Sequence, residues 1–151
     1  MTSKNIFVDS SWFKALLDVK DDFHPDALEQ SRELKKQDAL LVTSNFIIDE
    51  TLTLIRIKSG LEIALKFRDK LVEMGNILKV VRILPQDEKA AWNWFPNNWR
   101  KLSFTDCTSF AVMKRLGLTH VAAFDDHFSQ TGFKIFTQPA PLPKPRRRGS
   151  R

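Results

Sequence analysis

The stretch Asn5-Ile-Phe-Val-Asp9 decides how the rest of the chain is interpreted, because a short apolar run ends directly on a carboxylate. A run of this length, rich in Ile, Phe and Val, predicts a buried strand. The segment His120-Val-Ala-Ala-Phe-Asp125 repeats the pattern near the other end of the chain. An unpaired charge is costly to bury, so carboxylates in such positions normally pair, change pKa or bind a cation.

Strand-like and helix-like segments alternate outward from this first run. Further strands are predicted at 39–43, 77–84, 120–124 and 134–137, and helices at 12–17, 24–37, 46–59, 61–74, 86–95 and 104–116. The alternation predicts an α/β domain with a mostly parallel central sheet. Ligands of such sheets bind beyond the carboxyl ends of the strands, which is where Asp9 and Asp125 fall.

Composition is that of an ordinary globular chain. The 151 residues are 42% hydrophobic and 28% charged, which fits one domain with a proper core. Cys107 is the single cysteine, so an internal disulfide is impossible. No apolar run approaches the roughly 20 residues of a membrane span, and the first residues lack a signal-peptide pattern. We therefore expect a cytoplasmic protein that does not enter a membrane.

The net charge of +6 is concentrated at the carboxyl end. Five basic residues lie in Pro143-Lys-Pro-Arg-Arg-Arg-Gly-Ser-Arg151, so the remainder of the chain is nearly neutral. We predict one folded domain over 1–138 and a disordered Pro/Arg-rich tail over 139–151. The tail either contacts RNA or derives in part from a vector junction; the second interpretation is favoured.

Two further acids fall in helix-like segments and share a side with apolar residues. On a helical wheel Glu50 lies between Leu54 and Ile57, whereas its neighbour Asp49 points to the polar side. Asp106 lies in a first helical turn, where an acid also stabilises the helix terminus by roughly 0.3–1 kcal/mol. Because Glu and Asp are rarely buried without a partner, Glu50 and Asp106 are candidate site residues.

The two acids at the strand ends have simpler explanations as well. Asp9 is suited to cap the helix that follows it, and on its own this role is as good an account as a functional one. Asp125 is followed by Asp126 and His127, and we choose Asp125 as the ligand because it lies directly at the strand end, with Asp126 and His127 as second choices. A single histidine such as His127 is more often a hydrogen-bonding residue than a ligand.

The four acids together favour a hard divalent metal. They come from distant segments, yet a parallel sheet gathers such residues at one edge. The chain has no cysteine cluster and no pair of histidines at zinc spacing, so oxygen ligands for Mg²⁺ or Mn²⁺ are the expected chemistry.

Four segments, taken in order, carry a family resemblance: Phe7-Val-Asp-Ser-Ser11, Ser44-Asn-Phe-Ile-Ile-Asp-Glu-Thr51, Leu102-Ser-Phe-Thr-Asp106 with Ala111-Val-Met-Lys-Arg-Leu-Gly117, and Ala123-Phe-Asp-Asp-His-Phe128 with Gly132-Phe133. They resemble the PIN-domain ribonucleases, of the small kind found as VapC-type toxins in type II toxin–antitoxin systems. The resemblance covers about residues 5–137 and implies a three-layer α/β/α fold with about five strands. Ala123 stands where many relatives have Thr or Ser, a departure that removes no acid.

The resemblance implies that Asp9, Glu50, Asp106 and Asp125 bind Mg²⁺ or Mn²⁺ and catalyse hydrolysis of RNA, leaving a 5′-phosphate and a 3′-hydroxyl. Asp9 and Asp106 are expected to hold the first ion. Glu50 is expected to orient or deprotonate the attacking water, and Asp125 to support a second ion or the first through water.

Partners are also implied by the family. An antitoxin protein and a homodimer are expected beside the RNA substrate. Trp12 and Phe13 either form part of the antitoxin groove or belong to the core, and Ser11 or Thr105 is expected to position metal or water.

Substrate contacts have more than one candidate set. Phosphate binding needs basic residues near the acids, and the candidates are Arg100, Lys101, Lys114 and Arg115. For Lys114 and Arg115 the alternative is a solvated helix face. The aromatic segment 92–101 can stack unpaired bases, but core or interface anchoring is the more common role of such tryptophans.

Other functions fit the pattern to different degrees. A PIN-like module that binds RNA or protein without cutting, or a housekeeping RNA-processing nuclease, fits the same residues. A response-regulator-like domain fits poorly because the paired acids follow the fourth strand. A dinucleotide-binding domain lacks its glycine-rich turn after the first strand.

Overall fold

One sheet of five parallel strands forms the centre of residues 4–139, the part of the chain that the computed structural model describes. Its strands are β1 (Asn5–Val8), β2 (Leu40–Ser44), β3 (Leu78–Val81), β4 (His120–Ala122) and β5 (Lys134–Ile135). Their order across the sheet is β3-β2-β1-β4-β5, and each neighbouring pair is parallel. The prediction of a mostly parallel sheet of about five strands is confirmed.

Seven helices connect these strands in the described region. They are α1 (Ser10–Leu17), α2 (His24–Lys36), α3 (Asn45–Lys58), α4 (Leu61–Glu73), α5 (Pro85–Ala91), α6 (Phe104–Leu116) and α7 (His127–Gln130). Helices α1 to α4 contact one another, as do α5 to α7. With this strand order, right-handed crossovers place the two groups on opposite faces of the sheet. The three-layer α/β/α architecture expected from the sequence is therefore present. The basic residues of the predicted tail lie outside the described residues.

The helix ends follow local capping chemistry. The Oγ of Ser44 accepts a 3.2 Å hydrogen bond from the amide of Ile47 and so begins α3. Gly117 ends α6 with φ 69°, a left-handed conformation that glycine adopts at little cost. Three elements differ from expectation. Strand β3 is shorter than 77–84, α5 ends at Ala91, and α7 was not predicted.

The core lies on both faces of β1. Ile6, Phe7 and Val8 are fully buried, as a strand covered on both sides must be. Trp12 and Phe13 are buried in α1 and belong to the core, and Trp12 also lines a surface pocket together with Leu16 and Leu34. Buried aromatic rings continue on the other face of the sheet, where the Phe110 and Phe128 rings meet edge to face with centroids 5.1 Å apart.

The buried side of α3 is rotated about the helix axis relative to the predicted one. Ile47, Thr51 and Ile55 are fully buried, whereas Ile57 is 77% exposed. The prediction that Ile57 shares a buried arc with Glu50 was therefore wrong, although Leu54 is half-buried as expected. Glu50 consequently lies at the border of the buried face, where its carboxylate remains accessible.

The direction in which successive strands are added to the sheet reverses between β1 and β4. From β1 the chain moves through β2 to β3, then crosses back to β4 and β5. Such a switch point leaves a crevice at the carboxyl edge of the sheet. Among residues 4–139 no helix has the length and apolarity needed to cross a membrane.

Candidate active site

Asp9 lies at the floor of the crevice, where β1 passes into α1. Its Oδ2 accepts hydrogen bonds from the amide of Ser11 at 3.2 Å and from the Ser11 hydroxyl at 2.6 Å. The residue is therefore the N-cap of α1, as the simpler explanation held. Its second oxygen, Oδ1, is buried and receives no hydrogen bond from the described protein. Capping thus accounts for one oxygen of Asp9 and leaves the other without a donor.

Asp125 lies next to Asp9, after the end of β4. Its Oδ1 accepts a 3.1 Å hydrogen bond from the amide of His127. The charge of Asp125 acts directly on Asp9, so the two carboxylates are neighbours. Asp126 lines the same crevice but is exposed and makes no side-chain cap for α7. Of the two adjacent acids, Asp125 is the one that joins the cluster.

Asp106 enters from the first turn of α6. Its Oδ2 accepts from the amide of Ser103 at 3.0 Å, while the Ser103 Oγ accepts from the amide of Asp106 at 3.0 Å. This reciprocal capping box fixes the side chain at the helix terminus. The carboxylate is nonetheless buried and its electrostatic neighbours are Asp9 and Glu50. Capping and site formation therefore use the same residue.

Glu50 comes from the second turn of α3. Its Oε2 accepts a 2.8 Å hydrogen bond from the hydroxyl of Ser10. The charge of Asp9 acts on it, which brings the fourth acid into the same cluster. All four acids predicted from the sequence thus converge at the carboxyl edge of the sheet. Ser10, which the sequence argument did not select, orients one of them.

Burial and mutual repulsion make this cluster hard to ionise. Burial, followed by the charge of Asp125, raises the pKa of Asp9 to about 7. Burial, followed by the charge of Asp9, raises the pKa of Asp106 to about 6. Burial is also the main cause that raises the pKa of Asp125 and of Glu50. Protons or a cation are needed to stabilise such a group of acids.

The cluster fits a divalent cation by its donor chemistry. Carboxylate oxygens predominate, and the Oδ1 of Asp9 is buried without a donor. Donor atoms of Asp106, Asp125 and His127 also lie within 4.8 Å of one another. Hard divalent ions take such oxygen-rich sets, and a cation removes the repulsion that raises the pKa values.

Basic residues form one rim of the crevice. Lys58, Arg100 and Lys101 line it together with Glu50 and Asp106. Arg100 and Lys101 were predicted as phosphate contacts, whereas Lys58 was missed. Its signal was present, since Glu50, Leu54 and Lys58 are spaced four residues apart on α3 and share one side.

The other two basic candidates are engaged elsewhere. Arg115 forms a forked ion pair with the buried Asp87, with Nε to Oδ1 at 2.8 Å and Nη2 to Oδ2 at 2.9 Å. The Nζ of Lys114 lies 5.1 Å from the ring centroid of Trp94. Neither residue lines the acidic crevice, so the suggestion that they bind substrate phosphate there was wrong.

The tryptophan segment divides into core and surface. Trp94 packs edge to face on Phe110 with centroids 5.7 Å apart, and Trp99 packs against the core. Trp92 is 58% exposed and contacts the exposed Phe95 and the partly buried Phe104. Core anchoring therefore applies to Trp94 and Trp99, and for Trp92 an interface or a base-stacking role stays a prediction.

Comparison with known protein families agrees with this fold and this site. The PIN domain model matches residues 6–134, and the chain belongs to the PIN domain family. The matched region contains all four acids. The resemblance found in the sequence is therefore confirmed, and with it the general class of nuclease.

Relatives of known activity match the chain over a similar length. The chain is 33% identical over 129 residues to the 23S rRNA-specific endonuclease VapC20 of Mycobacterium tuberculosis, in the strains CDC 1551 / Oshkosh and ATCC 25618 / H37Rv. The match covers 85% of this chain and 95% of the relative. The crystal structure of M. tuberculosis VapC20, described as a sarcin–ricin loop cleaving toxin, superposes with a TM-score of 0.73 at 32% identity, over 85% of this chain and 95% of that one.

Proposed function

We propose that this protein is a divalent-metal-dependent endoribonuclease and the toxin of a toxin–antitoxin pair. The observation that carries the proposal is the convergence of Asp9, Glu50, Asp106 and Asp125 at the switch point of the sheet. One oxygen of Asp9 lies there without a donor. Helix capping accounts for Asp9 and Asp106 one at a time, but four acids that repel one another are unfavourable together unless protons or a cation join them.

Asp9, Asp106 and Asp125 are the residues that would hold the ion, either Mg²⁺ or Mn²⁺. Such an ion, when bound, lowers the pKa of a water molecule and offsets charge on the scissile phosphate. Ser11 fixes Asp9 through two hydrogen bonds to Oδ2, while Oδ1 is buried without a donor. Ser103 fixes Asp106 through one hydrogen bond, from its backbone amide to Oδ2.

Glu50 is the proposed proton acceptor. Its pKa is raised by burial, and the Ser10 hydroxyl holds Oε2 in a defined orientation. A carboxylate with a raised pKa is a stronger base than an exposed one and can take a proton from the attacking water. The water oxygen then bonds to phosphorus as the bond to the 3′-oxygen breaks, which leaves a 5′-phosphate and a 3′-hydroxyl.

The basic rim formed by Lys58, Arg100 and Lys101 is the proposed contact for the RNA backbone. Phosphates adjacent to the scissile bond need such charges, because the acids alone repel a polyanion. We propose ribosomal RNA as the substrate class, with the sarcin–ricin loop as the first sequence to test. This choice rests on the activity stated for the M. tuberculosis relative.

An antitoxin that covers the crevice, a homodimeric state and a cytoplasmic location are part of the same proposal. They rest on the likeness to a VapC toxin.

The test uses a stem–loop RNA with the sarcin–ricin sequence, a scrambled loop and an unrelated RNA, each with Mg²⁺, Mn²⁺ or EDTA. We expect cleavage of the first RNA in either metal and none in EDTA. Asp9→Asn should lower the rate by at least about 100-fold, whereas Asp49→Asn, at an exposed neighbour of Glu50, should retain it.

The competing hypothesis is a PIN-like module that binds without cutting. Binding of the RNA by the wild-type protein without cleavage in any metal would favour that hypothesis. Equal cleavage by the wild-type protein and Asp9→Asn would contradict the proposed site while leaving a nuclease activity to be located elsewhere.

A further inference from the structure

His127 begins α7 and directs its ring into the acidic crevice. The side chain is only 12% exposed. Its Nδ1 lies 3.1 Å from Oδ2 of Asp106 and 3.9 Å from Oδ1 of Asp125. Its Nε2 lies 2.7 Å from the carbonyl oxygen of Arg100. The ring is therefore held between a backbone carbonyl on one side and two acids of the cluster on the other.

The carbonyl determines which ring nitrogen carries a hydrogen. A carbonyl oxygen can only accept, so Nε2 must donate to Arg100. In the neutral ring Nδ1 is then unprotonated, and its lone pair faces Asp106 and Asp125. Histidines that bind metal commonly donate their other ring N–H to a backbone carbonyl, which fixes the tautomer and the ring orientation. His127 has this arrangement, with Nε2 at the Arg100 carbonyl and Nδ1 at Asp106.

The separations between donor atoms are those of ligands around one small cation. Adjacent ligands at about 2.1 Å from an octahedral ion lie about 3 Å apart. The 3.1 Å separation of Nδ1 from Asp106 matches that edge, and the 3.9 Å separation from Asp125 is a wider pair. The Oδ1 of Asp9 is buried without a donor, and the Asp9 carboxylate is a neighbour of Asp125.

We propose that His127 coordinates the divalent ion through Nδ1, which makes the site a mixed nitrogen–oxygen site and not one of carboxylates alone. The inference rests on the proposed metal-dependent function. An imidazole nitrogen is a softer ligand than a carboxylate oxygen, so it suits a transition-metal ion better than it suits Mg²⁺. The affinity for Mn²⁺ relative to Mg²⁺ should therefore be higher in the wild-type site than in a site that has the four acids without the histidine.

Two other histidines provide matched controls. His24 has its Nδ1 2.7 Å from the carbonyl oxygen of Ala15, and the Nδ1 of His120 lies 2.8 Å from the hydroxyl of Thr119. Neither lines the crevice. His120→Gln therefore removes an imidazole without removing the proposed ligand.

The decisive measurement is electron spin echo envelope modulation of Mn²⁺ bound to the full-length, tag-free protein. We expect modulation from directly coordinated ¹⁴N in the wild-type protein and in His120→Gln, and its loss in His127→Gln. Labelling the unmodified chain with ¹⁵N-histidine should replace the ¹⁴N signal, a result that does not depend on how any variant folds. Mn²⁺ affinity, measured by calorimetry, should fall about tenfold or more in His127→Gln, and Mg²⁺ affinity by less.

The outcomes separate this inference from the proposed function. Bound Mn²⁺ without nitrogen coupling, together with RNA cleavage, would overturn the role of His127 and leave the nuclease intact. His127 would then be an ion-pair partner of Asp106. Both proposals would be overturned if the protein bound no divalent ion, or if Asp9→Asn left the binding unchanged.

Discussion

The hydroxyl of Ser10 donates a 2.8 Å hydrogen bond to Oε2 of Glu50, across 40 positions of sequence. The bond joins the start of α1 to the second turn of α3, on either side of the crevice. It gives Glu50 a fixed orientation that its long side chain lacks by itself. The proposed proton acceptor is thus positioned by the residue that follows the proposed metal ligand Asp9.

Ser10→Ala should lower kcat for RNA cleavage by about tenfold, because a hydrogen bond to a charged group is worth roughly 1.5–3 kcal/mol. KM should change little, since Ser10 has no proposed contact with RNA. Ser10→Thr keeps the hydroxyl and should retain most of the activity. Single-turnover cleavage of the stem–loop RNA measures all three proteins. An unchanged rate in Ser10→Ala would remove the positioning role.

Asp9→Asn should stabilise the metal-free protein while abolishing cleavage. Burial and Asp125 raise the pKa of Asp9 from 3.8 to about 7, so its ionised form opposes folding at pH 8. Replacing it with a neutral isostere should increase the free energy of unfolding by roughly 1–4 kcal/mol. Urea denaturation in EDTA provides the measurement. A destabilised Asp9→Asn protein at pH 8 would show that the acid is paired in a manner that the structure does not contain.

Stability of the metal-free protein should fall as pH rises from about 5 to 8. Within this window the folded state binds more protons than the unfolded chain, because Asp9 titrates near 7 and Asp106 near 6 instead of near 3.8. The free energy of unfolding then decreases with pH. Added Mn²⁺ should remove most of this decrease by replacing the protons. Denaturation curves at several pH values test the sign, and a rise in stability across the window would contradict it.

Removing positive charge at the rim should weaken RNA binding in a salt-dependent way. Arg100→Gln with Lys101→Gln should lower the affinity of cleavage-deficient Asp9→Asn protein for RNA. The slope of log K against log salt should become shallower by about 0.7 for each phosphate of a single strand that is no longer neutralised. Lys114→Gln serves as the control, because Lys114 lies over Trp94 and not at the crevice. Equal slopes in all proteins would exclude the rim as the RNA-binding surface.

Arg115→Gln should affect stability and not substrate binding. The guanidinium pairs in a forked geometry with Asp87, which is 2% exposed. Breaking such a pair leaves a buried carboxylate without its partner, and we expect a decrease of roughly 2–4 kcal/mol in the free energy of unfolding. The hydrogen bond from Arg115 holds the pKa of Asp87 below its usual range against the opposing effect of burial. Acid should therefore reduce the difference between the two proteins, which denaturation at pH 7 and pH 3 can measure.

Local patterns were sufficient for most of the secondary structure. The run Asn5–Val8 forms a strand because its apolar side chains are buried on both faces, and Ser44 and Gly117 delimit helices through short-range caps. The prediction failed where the outcome depends on packing. Ile57 is apolar yet 77% exposed, because α4 and the sheet leave that side of α3 uncovered.

The sequence by itself determined the parallel α/β order and the set of four acids, since strand and helix periodicities and apolar runs ending in carboxylates are local features. Only the tertiary structure decided how these acids are held and what accompanies them. Ser10 reaches Glu50, His127 lies between Asp106 and the Arg100 carbonyl, and Arg115 turns away to Asp87. These contacts join residues 21 to 40 positions apart. Their energies depend on distances of about 3 Å, which no local pattern specifies.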